Sequence, residues 1–471
     1  MSSKSVIVIG GGLAGLSSAV ALADAGFRVR LLERRPFLGG RASSYTLPDG
    51  EHVDNCQHVT LGCCTNLDDF YRRVGASRKI GVYDRLVFVD RDGRRSLMQA
   101  SALPAPLHLA VSLALYPSLV WSERRAIGNA MLAIARRGGR NADGDAAGKS
   151  MLDWLRLHDQ SESAIRRFWS VVLVSALNEE LDRTDARYGL DVFWKAFLAN
   201  RAGYRLGIPL VPLGELYDGC KAAIESRGGE VQLRASVRCL RVSDERVLGV
   251  EIDGGREESA DAYVLAVPHD AVLALLPERL IGAQPGFANL RRLRSAPITG
   301  VHFWFDRDVM SEPFLTLLDR TTQWIFNKSR LYGGPGDGRY LQLVVSASYD
   351  LLPRSRQEII DLCLAELREV LPEAREAKLL KAVVIKEANA TFSPEPGSDR
   401  WRPSQRTSLS NFFLAGDWTA TGWPATMEGA VRSGYLAAEA ILAAVGTPRG
   451  FLQPDLPPEG LARWYARRGA L

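Results

Sequence analysis

The sequence predicts an α/β fold: a Rossmann-like parallel sheet whose strands come from separated parts of the chain, with an α+β region inserted among them. Three stretches carry that prediction. Residues 5–33 read as strand, glycine-rich turn, helix and strand. The α/β pattern breaks off after about residue 75 and returns at residue 207. Residues 411–434 then read as strand, loop and Ala-rich helix. A chain of 471 residues suggests two or three domains and can bury a large core.

Val6-Ile7-Val8-Ile9 is a short, continuously apolar run, the mark of a strand buried on both faces. It ends at Gly10, and Gly10-Gly11-Gly12-Leu13-Ala14-Gly15 fits G-x-G-x-x-G. A helix rich in Ala and Leu follows to Ala25, and Gly26 is placed to stop it. Phe27 to Leu32 is a second strand, closed by Glu33. Gly10 permits the tight turn, Gly12 lets a pyrophosphate approach the backbone, and Gly15 lets the helix pack on the strand. The helix start at Leu13 and Ala14 offers free N–H groups and a positive dipole end to phosphates. Glu33 lies 18 positions after Gly15, near the distance expected of an acid that accepts from ribose hydroxyls, with Arg34 beside it. Gly39-Gly40-Arg41 suits a second loop facing phosphate and flavin, which favours FAD over a nicotinamide dinucleotide.

The charge balance is 59 basic against 54 acidic residues, a net +5 that does not suggest nucleic acid binding. Cys56, Cys63, Cys64, Cys220, Cys239 and Cys363 form no C-x-x-C, and no His spacing completes a zinc site, so no metal is expected. Reduced thiols, and a first apolar run that reads as a strand rather than a signal peptide, suggest a cytoplasmic protein. Residues 99–122 hold no Asp, Glu, Lys or Arg. Pro104, Pro106 and Pro117 argue against a membrane span there. A core or lid helix is the first expectation, and a patch dipping into the inner face of the cell membrane the second.

Between the terminal motifs, Val53-Asp54-Asn55-Cys56-Gln57-His58-Val59 offers Gln57 and His58 to a ligand. Residues 67–75 read as a helix and 82–97 as a hairpin turning at Asp92-Gly93. Residues 136–149 read as a solvated loop, and 151–200 as helices dense in aromatic residues. A helix over 213–227 precedes strands at 231–233, 237–242, 247–252 and 262–267, with Val237 a candidate cofactor contact. Residues 297–306 alternate as a strand, with 314–326 and 340–348 as sheet neighbours. A helix at 357–370 and a strand at 382–392 follow. Asn411 to Asp417 is a strand ending in Gly416-Asp417, where Asp417 suits the ribityl or pyrophosphate region. Ala425-Thr426-Met427 opens the last helix, whose N–H groups suit the flavin C2 carbonyl and negative charge on the reduced ring.

These paired motifs resemble the FAD-binding amine oxidase and phytoene desaturase superfamily. Inner stretches are more specific: Glu33 to Ser44, Asp54 to Val59 with Gly62-Cys63-Cys64, Ala176-Leu177-Asn178-Glu179, Val301 to Arg307, and Ala415 to Pro424. Together they resemble the hydroxysqualene dehydroxylase family, the squalene-associated FAD-dependent desaturases of bacterial hopanoid synthesis. Cys56 stands where many members have Gly. Thr426 stands where an amine oxidase would have an aromatic cage residue, which argues against an amine substrate.

The resemblance implies an amine oxidase-like fold, with a discontinuous FAD-binding domain at 1–75, 207–275 and 401–445. It implies a substrate domain at 76–206 and 276–400, and a tail at 446–471. It also implies that reduced FAD converts hydroxysqualene to squalene and water, drawing on an unidentified electron donor. His58 is the first candidate acid and Asp54 the second, and Trp423 and Trp304 are candidates to stabilise an allylic cation. The alternatives are a carotenoid-type desaturase acting on a C30 or C40 polyene, a non-catalytic lipid-binding module, and an amine oxidase.

Overall fold

The computed structural model describes residues 4–139, 144–243, 245–333 and 339–469. A five-stranded parallel sheet holds the N-terminal motif at its centre. Its order is Glu230–Leu233, Arg28–Glu33, Ser5–Ile9, Ala262–Leu265, Phe412–Leu414. Val6, Val8, Val29, Leu31 and Val264 pack under helices Leu13–Asp24, Asp218–Glu225 and Met427–Ala444. Ile7, Ile9, Leu32, Tyr263 and Leu265 pack against an antiparallel sheet of Val237–Val242, Val247–Ile252 and Arg256–Glu258. Both faces are covered, and that is why the first strand is apolar without alternation.

A seven-stranded mixed sheet forms the second layer. Leu379–Phe392 lies at one edge, followed by Ser295–Phe305, Tyr340–Ser346, Trp324–Asn327, Phe314–Leu317, Leu86–Val89 and Arg95–Met98. Its pairs are antiparallel except Phe314–Leu317 with Leu86–Val89. Helix Arg356–Val370 covers one face through Ile359, Cys363 and Leu367. The helical region from Met151 to Leu198 lies in the same core cluster as parts of the other face. The aromatic pairs Phe168-Trp169 and Phe193-Trp194 fall in two π-helical stretches, Ile165–Trp169 and Phe193–Leu198.

Several local expectations shift. Residues 314–326 form two strands joined through Asp319, which takes a positive φ of 58°. The hairpin is confined to Leu86–Val89 and Arg95–Met98, while Ile80–Tyr83 pairs with Leu206–Pro209. The helix expected over 213–227 begins as the 3₁₀ turn Leu213–Tyr217. Residues 99–122 form no long helix. Ala110–Ala114 is one short helix, and the next, Trp121–Arg137, begins only at the end of the run, because the three prolines interrupt the pattern. Of the loop expected at 136–149, residues 140–143 lie outside the described residues, and Arg136 and Arg137 end helix Trp121–Arg137. The stretch after residue 445 is anchored. Phe451 is buried, Asn200 donates to Pro457 O at 2.8 Å, and helix Ala462–Gly469 packs on Trp121–Arg137.

Among the described residues, no helix is long and apolar enough to cross a membrane, and no cluster of His, Cys, Asp and Glu is arranged to hold a metal ion.

Candidate active site

A cavity of about 540 Å³ lies at the carboxyl ends of the parallel strands. Its floor is built from the glycine loops. Gly39 N–H donates to Gly11 O at 2.8 Å, which brings the loop of Gly39 and Gly40 against that of Gly12. A Cβ on Gly40 would stand 2.9 Å from Gly12 Cα, and one on Gly15 would stand 1.9 Å from Gly10 O. Gly12 itself has room, its nearest neighbour to an added Cβ being Gly40 Cα at 3.8 Å. The open side of Gly12 faces the cavity, and this suits a pyrophosphate.

Glu33 is buried at the end of its strand. Its carboxylate accepts from Gly11 N–H at 2.6 Å and Arg35 N–H at 2.7 Å. Each oxygen keeps a further lone pair for a ribose hydroxyl. Arg34 and Val237 also line this end. On the opposite wall, Arg41 Nη2 donates to both Asp417 Oδ1 and Oδ2, at 2.7 and 2.8 Å, an ion pair linking the first and last motifs. Arg41, Gly416 and Asp417 all line the cavity.

Ala425, Thr426 and Met427 line it as well, and Thr426 caps the last helix by accepting from Gly429 N–H at 3.0 Å. The loop before that cap is held by Arg402, a residue that sequence reasoning missed. Its buried guanidinium donates to the carbonyls of Asp417 at 3.1 Å, Thr419 at 2.5 Å and Trp423 at 2.8 Å. Glu428 was also missed. It accepts from the backbone N–H groups of Asn66 and Leu67, at 3.2 and 2.8 Å, and so caps helix Thr65–Arg73. Burial raises the Glu428 carboxyl above its usual range.

A family model described as flavin containing amine oxidoreductase matches residues 13–442. The chain belongs to that family. It is 29% identical over 470 residues to a 15-cis-phytoene desaturase of Synechococcus elongatus, covering 93% of this chain and 96% of that one. It is 28% identical over 474 residues to a zeta-carotene desaturase of Synechocystis, covering 93% and 97%. Among solved structures, a redesigned putrescine oxidase superposes with a TM-score of 0.72 at 18% identity, covering 94% of this chain and 99% of that one. An oxidoreductase of Methanosarcina mazei superposes equally, with 0.72 at 18% identity over 91% and 98%. The protein is therefore an FAD-dependent oxidoreductase with the amine oxidase-like fold. The floor around Gly12, the Glu33 carboxylate and the capped helix start at Met427 are what FAD requires.

The catalytic candidates of this flavoenzyme fare differently. His58 lines the cavity, but burial holds its imidazole below the usual 6.5. Its Nδ1 lies 3.0 Å from Cys56 O. A carbonyl only accepts, so Nδ1 carries the proton and Nε2 is left as an acceptor. At neutral pH the neutral His58 imidazole is therefore suited to take a proton rather than give one.

Asp54 does not line the cavity. Its carboxylate accepts from Lys328 Nζ at 2.7 Å, Tyr332 OH at 2.6 Å, Ser44 Oγ at 2.8 Å and Leu213 N–H at 3.0 Å. Burial opposes its charge, but Lys328 and these hydrogen bonds outweigh burial and hold the carboxyl below its usual range. It is a saturated structural anion, not an acid facing substrate. Trp304 is likewise away from the cavity, stacked on Tyr340 at 4.5 Å with Lys381 over its face at 4.6 Å. Trp423, by contrast, stands in the cavity wall, with Lys195 Nζ 5.0 Å from its ring and Arg432 5.3 Å.

Proposed function

We propose that this flavoenzyme carries out hydride chemistry at an allylic carbon of a long isoprenoid chain, in the manner of a carotenoid-type desaturase. The observation that carries the reading is the apolar wall continuing from the flavin cradle, made by Val59, Leu61, Cys63, Ala176, Val192 and Ile298. A polyene needs such a wall and few polar anchors. When bound, FAD accepts or supplies the hydride. In this reading His58 Nε2 receives the proton that leaves the neighbouring carbon when a double bond forms. The relatives named above are desaturases of polyenes, which supports the same reading.

An amine substrate would find the Trp423 ring already faced by two cations, Lys195 and Arg432, rather than open as a cage wall.

A second reading, reductive dehydroxylation of hydroxysqualene, is favoured by one observation. The stretches Cys56-Gln57-His58-Val59 and Trp423-Pro424, which carry the sequence resemblance to that family, both line the cavity. Two anaerobic single-turnover assays separate the readings. Oxidised enzyme mixed with 15-cis-phytoene or a C30 polyene is expected to bleach as a new double bond appears in the extracted lipid. Dithionite-reduced enzyme mixed with hydroxysqualene tests the second reading: flavin reoxidation with squalene formed would replace the first. Inactivity in both assays with FAD bound would overturn both.

A further inference from the structure

Residues 101–137 and the last helix share one surface. Leu103, Leu107, Leu115, Val120 and Trp121 project from it, Leu115 being 73% and Trp121 70% exposed. Residues 99–122 carry no charged side chain. Trp121 begins a helix whose outward stripe continues through Arg125, Leu132 and Arg136, all exposed at i+4 and i+7 spacing. The C-terminal segment joins this surface, since Ala462 N–H donates to Ala105 O at 3.1 Å and the backbone of Tyr465 closes on Gly138. It adds Leu461 and Trp464, each about half exposed.

Cations outnumber acids around these apolar tips: Arg124, Arg125, Arg201 and Arg463 stand against Glu123 and Glu459. Arg124 donates to Leu119 O at 2.9 Å and to Ala114 O at 2.6 Å, and Arg201 donates to Leu103 O. The guanidinium groups are therefore fastened to the backbone that presents the leucines. Arg125 and Arg463 are exposed nearby. The adjoining acids are engaged internally. Glu123 accepts from Val120 N–H at 3.0 Å and Ser161 Oγ at 2.8 Å, and Glu459 accepts from Arg201 N–H at 2.7 Å. Apolar tips set in a rim of cations, beside a helix lying along the surface, match a headgroup layer of anionic lipid over the ends of its acyl chains. The buried side of the same segment, through Ala105, Tyr116 and Leu119, belongs to the core cluster that also contains Cys56, Cys63 and Trp423 of the cavity wall.

We propose that this composite surface docks the protein on an anionic lipid bilayer. It does so without a spanning helix, with Leu115 and Trp121 entering the acyl boundary and the arginines meeting phosphates. The docking is independent of which isoprenoid the enzyme acts on.

The test is flotation of the full-length, FAD-loaded protein with vesicles of phosphatidylcholine alone and of phosphatidylcholine mixed with phosphatidylglycerol. The expected result is flotation with the anionic vesicles only, reversed by salt well above physiological strength. Leu115→Glu combined with Trp121→Glu is expected to lower the bound fraction at least about tenfold. Arg125→Gln is expected to lower it roughly fivefold. These variants are expected to keep the FAD spectrum and to turn over detergent-dispersed substrate as the parent does. Failure of the parent protein to float would overturn the proposal, as would equal flotation on neutral vesicles or unchanged flotation of the double variant. A double variant that floats normally but falls from dimer to monomer by light scattering would assign the surface to a second copy of the chain instead.

Discussion

Lys328 and Asp54 stand 274 residues apart in sequence and meet as a buried ion pair, Nζ to Oδ2 at 2.7 Å. Lys328 also donates to Gln57 Oε1 at 2.7 Å and lies 4.3 Å from the centre of the Tyr332 ring. The pair thus ties the cavity-lining stretch at Gln57 and His58 to the second sheet.

Lys328→Met is expected to cost roughly 3–5 kcal/mol of stability, because it leaves a buried carboxylate without its cation. Denaturant unfolding of the holoenzyme measures this. The pair also sets an acid limit. Asp54 has a folded pKa below its ordinary 3.8, so the unfolded chain takes up the proton first as pH falls. The stabilisation is complete above that value and is lost as pH drops through the folded pKa. Below pH 3.8 the parent protein should lose stability more steeply than Asp54→Asn, which lacks this titration.

Gly12→Ala and Gly15→Ala should fail in different ways. A Cβ at Gly15 would overlap Gly10 O at 1.9 Å, so that variant loses fold stability. A Cβ at Gly12 meets only Gly40 Cα at 3.8 Å, so the chain folds but the pyrophosphate is blocked. The expected result for Gly12→Ala is native circular dichroism with FAD affinity weakened at least about tenfold, or ~1.4 kcal/mol. Equal flavin content in Gly12→Ala and the parent would contradict this placement of FAD.

His58 should show in the pH profile of kcat/KM. An acceptor imidazole works while it is neutral, so the rate should be level at neutral pH and fall on acidification below 6.5, through the depressed pKa. His58→Gln should slow turnover roughly 10²- to 10⁴-fold with FAD still bound, and the acid limb should vanish. A rate that rises on acidification would return His58 to the role of acid.

Thr426→Ala removes the cap of helix Met427–Ala444, while Thr426→Ser keeps an oxygen for Gly429 N–H. The alanine variant is expected to lose about 1 kcal/mol of stability, and the serine variant less. Differential scanning of the two holoenzymes gives the comparison.

The parallel sheet and the FAD cradle were legible in the sequence because their constraints are local. Only glycine fits at Gly15 and Gly40, and a strand covered on both faces must be apolar throughout. The catalytic wall was less legible because partners far away in sequence decide it. Asp54 reads as a free carboxylate until Lys328 and Tyr332 close on it. Trp304 reads as a cavity aromatic until Tyr340 stacks on it. His58 faces the cavity as expected, yet its protonation is set by burial and Cys56 O, which no local pattern encodes. Arg402 and Lys328 gave no signal at all, being single cations in unremarkable stretches. Residues 99–122 misled in the other direction: an uncharged run suggested one long helix, and its prolines cut it into turns around the short helix Ala110–Ala114.

The sheet that carries the cradle has a consequence for how the chain is made. Its strands come from the first 33 residues, from 230–265 and from 412–414, and Arg41 finds Asp417 across 376 positions. On a ribosome adding ~5–20 residues per second, the first glycine loop waits roughly 20–80 s for the segment that completes its site. For roughly the first 13–50 s of that wait the apolar strand Ser5–Ile9 also lacks its neighbour Ala262–Leu265, and the nascent chain depends on other cover. Flavin capture thus waits on the segment that carries Phe412–Leu414 and Asp417, whatever the cellular supply of FAD.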